Sequence, residues 1–456
     1  MLKKILPSIA FIFCCLSSTA QTEDSITIKK ISDEVLTNGK AYENLRFLCK
    51  KIGQRLSGSP SAQKAVEATF KMLKAAGADT VYLQQCMVPH WVRGIKETGF
   101  IQTAGQKYPL HLCSLGNSLG TGLKGINAAV IEVRSFEQLD QLGAAIVKGK
   151  IVFFNFVMNP TYVQTFRAYS ESGISRWQGA SKAASYGAIG AMVRSLASNT
   201  DDNPHTGAMK YNDSFPKIPA VAISTNDAEW LSRKLKLRMP VTASFSNTSF
   251  VLPDTISYNV VGEIRGSEFP KEIITVGGHL DSWDLAEGAN DDGTGVMQSV
   301  EVLRALKATG IKPKRTIRAV MFMDEENGGR GGDKYLELAE KNKETHLFAL
   351  ESDAGGFTPR GFSLEMSEAQ ISKITQWKDL FLNYGVYDFT GRGSGSDVGP
   401  LRKIGTACAE LIPDSQRYFD IHHAATDVFE NVNKRELHLG AVNMAILIYL
   451  IDKYGL

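Results

Sequence analysis

Beyond its first twenty residues the chain has no long apolar run, and it has no CxxC pair, internal repeat or low-complexity tract. The first absence argues against a membrane-spanning helix, which needs roughly eighteen or more apolar residues in succession. The second argues against a cysteine-based zinc finger. Charge of one sign is also scarce. Lys and Arg number 51 against 48 Asp and Glu, a formal net charge of +3. That field is too weak to draw nucleic acid or an anionic membrane. Hydrophobic residues make up 43% and charged residues 22% of the 456 positions. These ordinary globular proportions exclude a disordered, collagen-like or disulfide-scaffold protein. At about 150 residues per domain the length allows two or three domains.

The start has its own logic. Lys3 and Lys4 precede an apolar run from Ile5 to Leu16, and Ser18-Thr19-Ala20 follows. A basic start, a short apolar core and small residues at a cut site predict a secretory signal over residues 1–20, with export to a periplasmic or extracellular space. Lipid attachment at Cys14 or Cys15 is the alternative, against which stand the bulky Phe11-Ile12-Phe13. Cys49, Cys86, Cys113 and Cys408 then remain. An oxidising compartment permits bridges among them, but buried free thiols or a single bridge is the expectation.

Residues 21–40 are polar and read as a mobile start. Over residues 59–77 the pattern predicts a helix, with Ser59 as cap, Pro60 in the first turn, Val66, Phe70 and Leu73 on one face and Gly77 at its end. From 117 to 250 the texture changes to short buried strands, such as Ile151 to Phe156, with small-residue stretches. No catalytic cluster is visible there, and His205 reads as a solvated loop residue. This stretch is taken as an inserted domain. From 257 onward strands and helices alternate. The fold class that follows is α/β, a mixed and largely parallel sheet sandwiched by helices. Residues 21–116 and 251–456 form its main domain.

Five short clusters carry the chemistry. GGHLDSWD holds His279 and Asp281, GANDDGTG holds Asp291 and Asp292, and MDEENGG holds Glu325 and Glu326. ESDAGG holds Asp353, and FDIHHAATD holds His422 and His423. Any one alone reads as a surface turn or a solvated acid pair. Together they lie where loops meet beyond the carboxyl ends of strands. So many carboxylates repel one another unless cations neutralise them. Two histidines among them favour a borderline metal such as zinc over calcium or magnesium. Two ions about 3.5–4 Å apart, bridged by one carboxylate, satisfy the charges and acidify a shared water. Adjacent glutamates in extended backbone point opposite ways. One can therefore bind metal while the other acts as general base. Asp281, two residues after His279, can accept that ring's other N–H.

These residues resemble the di-zinc exopeptidase family of bacterial leucyl aminopeptidases and glutamate carboxypeptidases. The likeness rests on GGHLDSWDLAEGANDDGTG, KPKRTIR, EENGG, ESDAGGF and IGQRLSGSPSAQKA. It extends to KGKIVFFN, SYGAIGAMV and KIPAVAIS, which are similar to the protease-associated domain that interrupts many relatives. The resemblance implies two Zn2+ per chain. His279 and Asp353 would hold one, Glu326 and His423 the other, and Asp291 would bridge both, with a cis peptide at Asp291–Asp292. Glu325 would be the general base, with Asp281 supporting His279. His423 is the last ligand in this scheme because it stands four residues before Asp427. Many relatives place a tyrosine where His422 stands, so this imidazole can serve as an oxyanion donor or simply pack over His423. The loop Arg392 to Asp397 either lines the substrate pocket or opens a helix with Ser396 or Asp397 as cap.

The implied activity is exopeptidase action on dipeptides or short peptides, of dipeptidase or carboxypeptidase type, with aminopeptidase action as the alternative. Single-zinc glutaminyl cyclisation and a non-catalytic binding protein stand further off. The implied partners are a peptide substrate and a second copy in a homodimer, with neither nucleic acid nor membrane.

Overall fold

A computed structural model describes residues 23–456, so the expected signal segment lies outside the described residues. Strands β1 (Thr80–Val92), β10 (Phe250–Ile264), β11 (Phe269–His279), β12 (Arg315–Phe322), β13 (Thr345–Glu351), β14 (Pro359–Glu365) and β15 (Ala407–Pro413) form one sheet. Its order is β1-β10-β12-β11-β13-β15-β14. The inner pairs β12–β11, β11–β13 and β13–β15 are parallel, whereas β1–β10, β10–β12 and β14–β15 are antiparallel. The sheet is therefore mixed, with parallel pairing confined to its centre rather than prevailing throughout. Parallel neighbours need a crossover, and helices supply it in the middle; the flanking pairs need none.

Side chains alternate across this sheet because successive residues of a strand face opposite ways. Val260, Ala319, Met321, Phe348 and Leu350 pack into one core with the helices Pro60–Ala75, Thr294–Ala308 and Lys434–Tyr454. Val261, Val320, Phe322 and Ala349 pack into another with Tyr335, Leu336 and Ala339 of the helix Arg330–Asn342. Lys434–Tyr454 is apolar nearly all round because it is buried nearly all round, and Asn433 caps it by accepting the Arg435 and Glu436 N–H groups. Ser59 caps Pro60–Ala75 in the expected way, accepting the Ala62 N–H at 3.1 Å.

The polar start is a correction. A helix occupies 23–38, and Ile28, Ile31 and Val35 on one of its faces enter the main core. The four cysteines are buried free thiols.

The second sheet contains β2 (Thr98–Thr103), β3 (Gln106–Pro109), β4 (Leu112–Ser114), β5 (Ile126–Val133), β6 (Ile151–Phe154), β7 (Gly190–Arg194), β8 (Ala220–Ile223) and β9 (Val241–Ser246). It is ordered β3-β2-β9-β5-β6-β7-β8-β4. Strands β2, β3 and β4 lie ahead of residue 117, where the sequence places the change of texture. Val152 and Phe154 face one core and Ile151 and Phe153 the other, so both faces of β6 are covered. The long helix Thr165–Ser185 sends Ala180, Ala183 and Ala184 into the first of these cores. Among the described residues no helix is long and apolar enough to cross a membrane.

Candidate metal centre

The carboxyl ends of the parallel strands converge, and the five clusters meet there. His279 ends β11, and its ring is buried. Its Nε2 lies 3.1 Å from Asp291 Oδ1 and 3.2 Å from Asp353 Oδ1. His423 Nε2 lies 3.1 Å from Asp291 Oδ2 and 3.0 Å from Glu326 Oε2. One carboxylate thus faces both imidazoles with a different oxygen for each, and each imidazole faces a further carboxylate of its own. Asp291 Oδ2 and Glu326 Oε1 are buried and have no hydrogen-bond partner. Unsatisfied buried acceptors of this kind point to a cation. The donor set, imidazole nitrogens with carboxylate oxygens, suits zinc.

Local chain geometry explains the convergence. The Asp291–Asp292 peptide is cis. The Asp292 carboxylate is engaged by backbone, its Oδ2 accepting the His279 N–H at 3.0 Å and its Oδ1 the Gly295 N–H at 2.9 Å, and one of its oxygens stays within 4.8 Å of a His279 ring nitrogen. Gly278 permits this approach, because a Cβ there would lie 2.3 Å from Asp292 Oδ2. Asp427 accepts the Asn290 N–H at 2.8 Å and the Asp291 N–H at 3.1 Å. The residue four places after His423 therefore holds the turn that presents Asp291. Burial pushes the Asp427 carboxyl up to about 6.

Asp281 departs from expectation. The ring Nδ1 of His279 lies 3.0 Å from the Asp281 backbone carbonyl and 3.8 Å from its carboxylate. The carboxylate instead accepts the N–H groups of Asp324, Glu325 and Glu326 at 2.7, 3.2 and 3.3 Å. It clamps the turn that carries the glutamate pair. Asp324, in the left-handed region at φ 75°, is pushed up to about 8 by burial and by Asp281. Glu325 is half-buried beside the cluster.

Electrostatics follow from this packing. Burial works against charge on His279, yet Asp353 and Asp291 outweigh it and raise its pKa well above the usual value. For His423 burial likewise opposes charge, and Glu326 and Asp291 override it. Burial and the neighbouring His423 keep His422 neutral, with its pKa well below the usual value. Its ring stacks on His423, centroids 3.6 Å apart, with Nε2 3.5 Å from Asp291 Oδ2. His205 is another correction. It is buried rather than solvated, and burial drives it down to about 4. The Arg392 to Asp397 loop ends in a buried Asp397 that caps no helix; its N–H donates to Glu351 instead.

Several contributors carry no signal of their own in the sequence. Trp283 donates its Nε1–H to Glu326. Arg55, wholly buried, donates to the carbonyls of Leu280, Glu287 and Gly288 at 2.6, 2.6 and 2.9 Å, tying together the two ends of the loop that links β11 to the Asp291 turn. Tyr169 and Arg176 reach the histidine pair from Thr165–Ser185, and Thr206 reaches it from the loop after β7. The spacing of Trp283 within HLDSWD and of Arg55 within IGQRLSG was the one available hint.

Comparison with known proteins places the chain in a family. The sequence profile of peptidase family M28 matches residues 259–448. Human carboxypeptidase Q is 35% identical over 412 residues, covering 90% of this chain and 85% of its own. The chain belongs to peptidase family M28. The M28 peptidase precursor of Shewanella amazonensis has a similar structure, at TM-score 0.89 and 30% identity, covering 94% of this chain and 97% of its own. A zinc aminopeptidase of Bacillus subtilis shares the fold at TM-score 0.65 and 21% identity, covering 90% of this chain and 94% of its own. This peptidase is accordingly a metallopeptidase with exopeptidase function, a hydrolase acting on peptides.

Proposed function

We propose that the peptidase is a two-zinc exopeptidase of dipeptidase or carboxypeptidase type. The observation that carries the reading is Asp291, whose two oxygens each lie 3.1 Å from a different imidazole. His279 and Asp353 would hold one zinc and His423 and Glu326 the other, with Asp291 shared between the two. The bound pair supplies Lewis acidity, which polarises the scissile carbonyl and lowers the pKa of water. Glu325 takes the proton of the attacking water on its carboxylate and passes it to the leaving nitrogen. Asp281 fixes the turn on which Glu325 sits. His422, neutral and stacked on His423, lies where an N–H donor to the developing oxyanion is useful.

The carboxypeptidase side is favoured by the likeness to carboxypeptidase Q over 90% of the chain. The second sheet is the inserted protease-associated domain of this reading, and the mature enzyme is an exported homodimer from which residues 1–20 have been removed. An assay of a free peptide, an amine-blocked peptide and a carboxylate-blocked peptide tests the assignment. Loss of cleavage on blocking the carboxylate supports it: a carboxypeptidase still cuts the amine-blocked peptide and a dipeptidase does not. Cleavage that survives blocking of the carboxylate but not of the amine would make the enzyme an aminopeptidase. Sedimentation of the purified protein as a monomer would refute the pairing.

A further inference from the structure

A cavity of about 320 Å3 lies between the main sheet and the first turn of the helix Thr165–Ser185. Strand β15 lends it Glu410 and Ile412, and the helix lends it Phe166 and Arg167. Its walls are tied together. Thr165 Oγ1 donates to the Ser415 carbonyl at 3.0 Å, and Gln416 Nε2 donates to the Val163 carbonyl at 2.8 Å. The cavity adjoins the metal centre on both sides. Phe166 stacks on Tyr418 with centroids 5.3 Å apart, and Tyr169, one helical turn further on, meets the His422 ring at 5.0 Å. Across the sheet Glu410 pairs in register with Glu351, two residues before Asp353.

Glu410 is half-buried, and among the described residues its carboxylate makes no hydrogen bond or ion pair. Burial and the nearby Asp353 both work against its charge. Its acidic neighbours are already engaged. Glu351 accepts the N–H groups of Asp397 and Val398 at 3.0 and 2.8 Å, and Asp388 accepts the N–H and hydroxyl of Thr390 at 2.8 and 2.6 Å. Two arginines also line the cavity, but both are exposed and turned to other partners. Arg392 Nη1 donates to the Thr390 and Gly391 carbonyls at 2.9 and 3.0 Å, and Arg167 lies 4.2 Å from the centroid of the Tyr162 ring. A solvated charge at the rim contributes little, whereas a carboxylate set deeper without a donor is costly until one arrives.

We infer that this cavity takes a basic side chain of the peptide, from a residue flanking the scissile bond, with Glu410 as the group that selects it. This rests on the peptidase reading above. A lysine suits the cavity in both its parts. Its methylene stem can lie along Phe166 and Ile412, and its ammonium supplies the donors that Glu410 lacks. Glu351 and Asp353 add to the negative field that draws a cation inward.

The test compares lysyl-alanine with norleucyl-alanine and alanyl-lysine with alanyl-norleucine. Norleucine keeps the straight apolar stem and lacks the charge. The enzymes are the zinc-loaded full-length protein, Glu410→Gln and Glu410→Asp. The expected result is a wild-type kcat/KM favouring lysine over norleucine by about tenfold or more at one of the two positions, and a fall of that ratio by about tenfold or more in Glu410→Gln. Glu410→Asp, which keeps the charge, retains part of the preference. A second measurement needs no turnover. Calorimetric binding of the same peptides to Glu325→Gln should show the same preference, lost when Glu410→Gln is added. A lysine-to-norleucine ratio near one at both positions in the wild type, or one that Glu410→Gln leaves unchanged in rate and in binding, overturns the inference. A preference for glutamyl-alanine over lysyl-alanine and for alanyl-glutamate over alanyl-lysine also overturns it, because the arginines at the rim would then govern the cavity. Failure of the wild type to cleave any of these peptides would instead defeat the peptidase reading, and the binding comparison would still decide Glu410.

Discussion

Trp283 donates its indole Nε1–H to Glu326 Oε2 at 2.5 Å, while the edge of its ring faces His423 with centroids 5.9 Å apart. One side chain thereby fixes the rotamer of a proposed zinc ligand and borders another. Trp283→Phe keeps the ring and removes the donor. The expected outcome is a loss of zinc affinity of about 10–100-fold, the scale for groups that orient metal ligands. Competition with a chelator measures it. Unchanged affinity would mean that Glu326 is held by other contacts.

Gly116 bounds the same tryptophan from below. A Cβ at this position would fall 1.8 to 2.8 Å from three ring atoms of Trp283. Gly116→Ala must push the indole aside, so it should destabilise the fold by about 1–3 kcal/mol and weaken zinc binding in parallel. Urea unfolding of the metal-stripped protein separates the two effects. A stability unchanged by the substitution would contradict the packing described.

Asp281 accepts three successive N–H groups of residues 324–326. In Asp281→Asn an amide NH2 replaces one oxygen and faces donors with a donor. The turn that aims Glu325 should loosen, and kcat should fall about 10–100-fold. KM should change less. A kcat within twofold of the wild type would show that the backbone carbonyl of Asp281, which holds His279 Nδ1, is its whole contribution.

A pH dependence arises outside the candidate metal centre. Glu344 accepts from Arg318 at 2.8 Å and from His346 Nε2 at 3.0 Å. Burial works against its charge, but His346 and Arg318 prevail and hold its carboxyl down at about 2. An unfolded glutamate titrates near ~4.3. The folded state therefore gains stability above that value and loses it as the pH falls toward about 2. Glu344→Gln should cost about 1–2 kcal/mol at pH 6, with the deficit shrinking as the pH drops from 4.5 to 2.5. Denaturation curves across that range check it. A deficit that grows on acidification would reverse the sign.

Much of the centre was legible because its residues sit just after buried strands, where the parallel sheet gathers loops. His279 at the very end of β11, Glu325 and Glu326 after β12, and Asp353 after β13 follow that rule. The role of Asp281 was not legible from its spacing. After His279 the chain turns so that the Asp281 carbonyl meets the ring and the carboxylate swings across to β12's loop. The helix over 23–38 was hidden because three core residues, Ile28, Ile31 and Val35, are outnumbered by polar ones on its open face. Arg176 was hidden for a different reason. Its helix mixes serine, glycine and alanine with charge, and packing between the two sheets, rather than any local pattern, brings it to His423. His205 reads as polar loop, yet Ser195 Oγ accepts its backbone N–H at 2.9 Å and the loop folds inward.

The central claim is that this cluster binds a pair of zinc ions around Asp291 while Glu325 moves the proton. Metal content and peptide hydrolysis, measured together on the wild type, Glu325→Gln and Asp291→Asn, test it most directly. The account predicts about two zinc ions in the wild type and in Glu325→Gln, with hydrolysis by the latter reduced at least about a hundredfold. It predicts fewer than two in Asp291→Asn. Full zinc content in Asp291→Asn, or hydrolysis by Glu325→Gln at the wild-type rate, would contradict it.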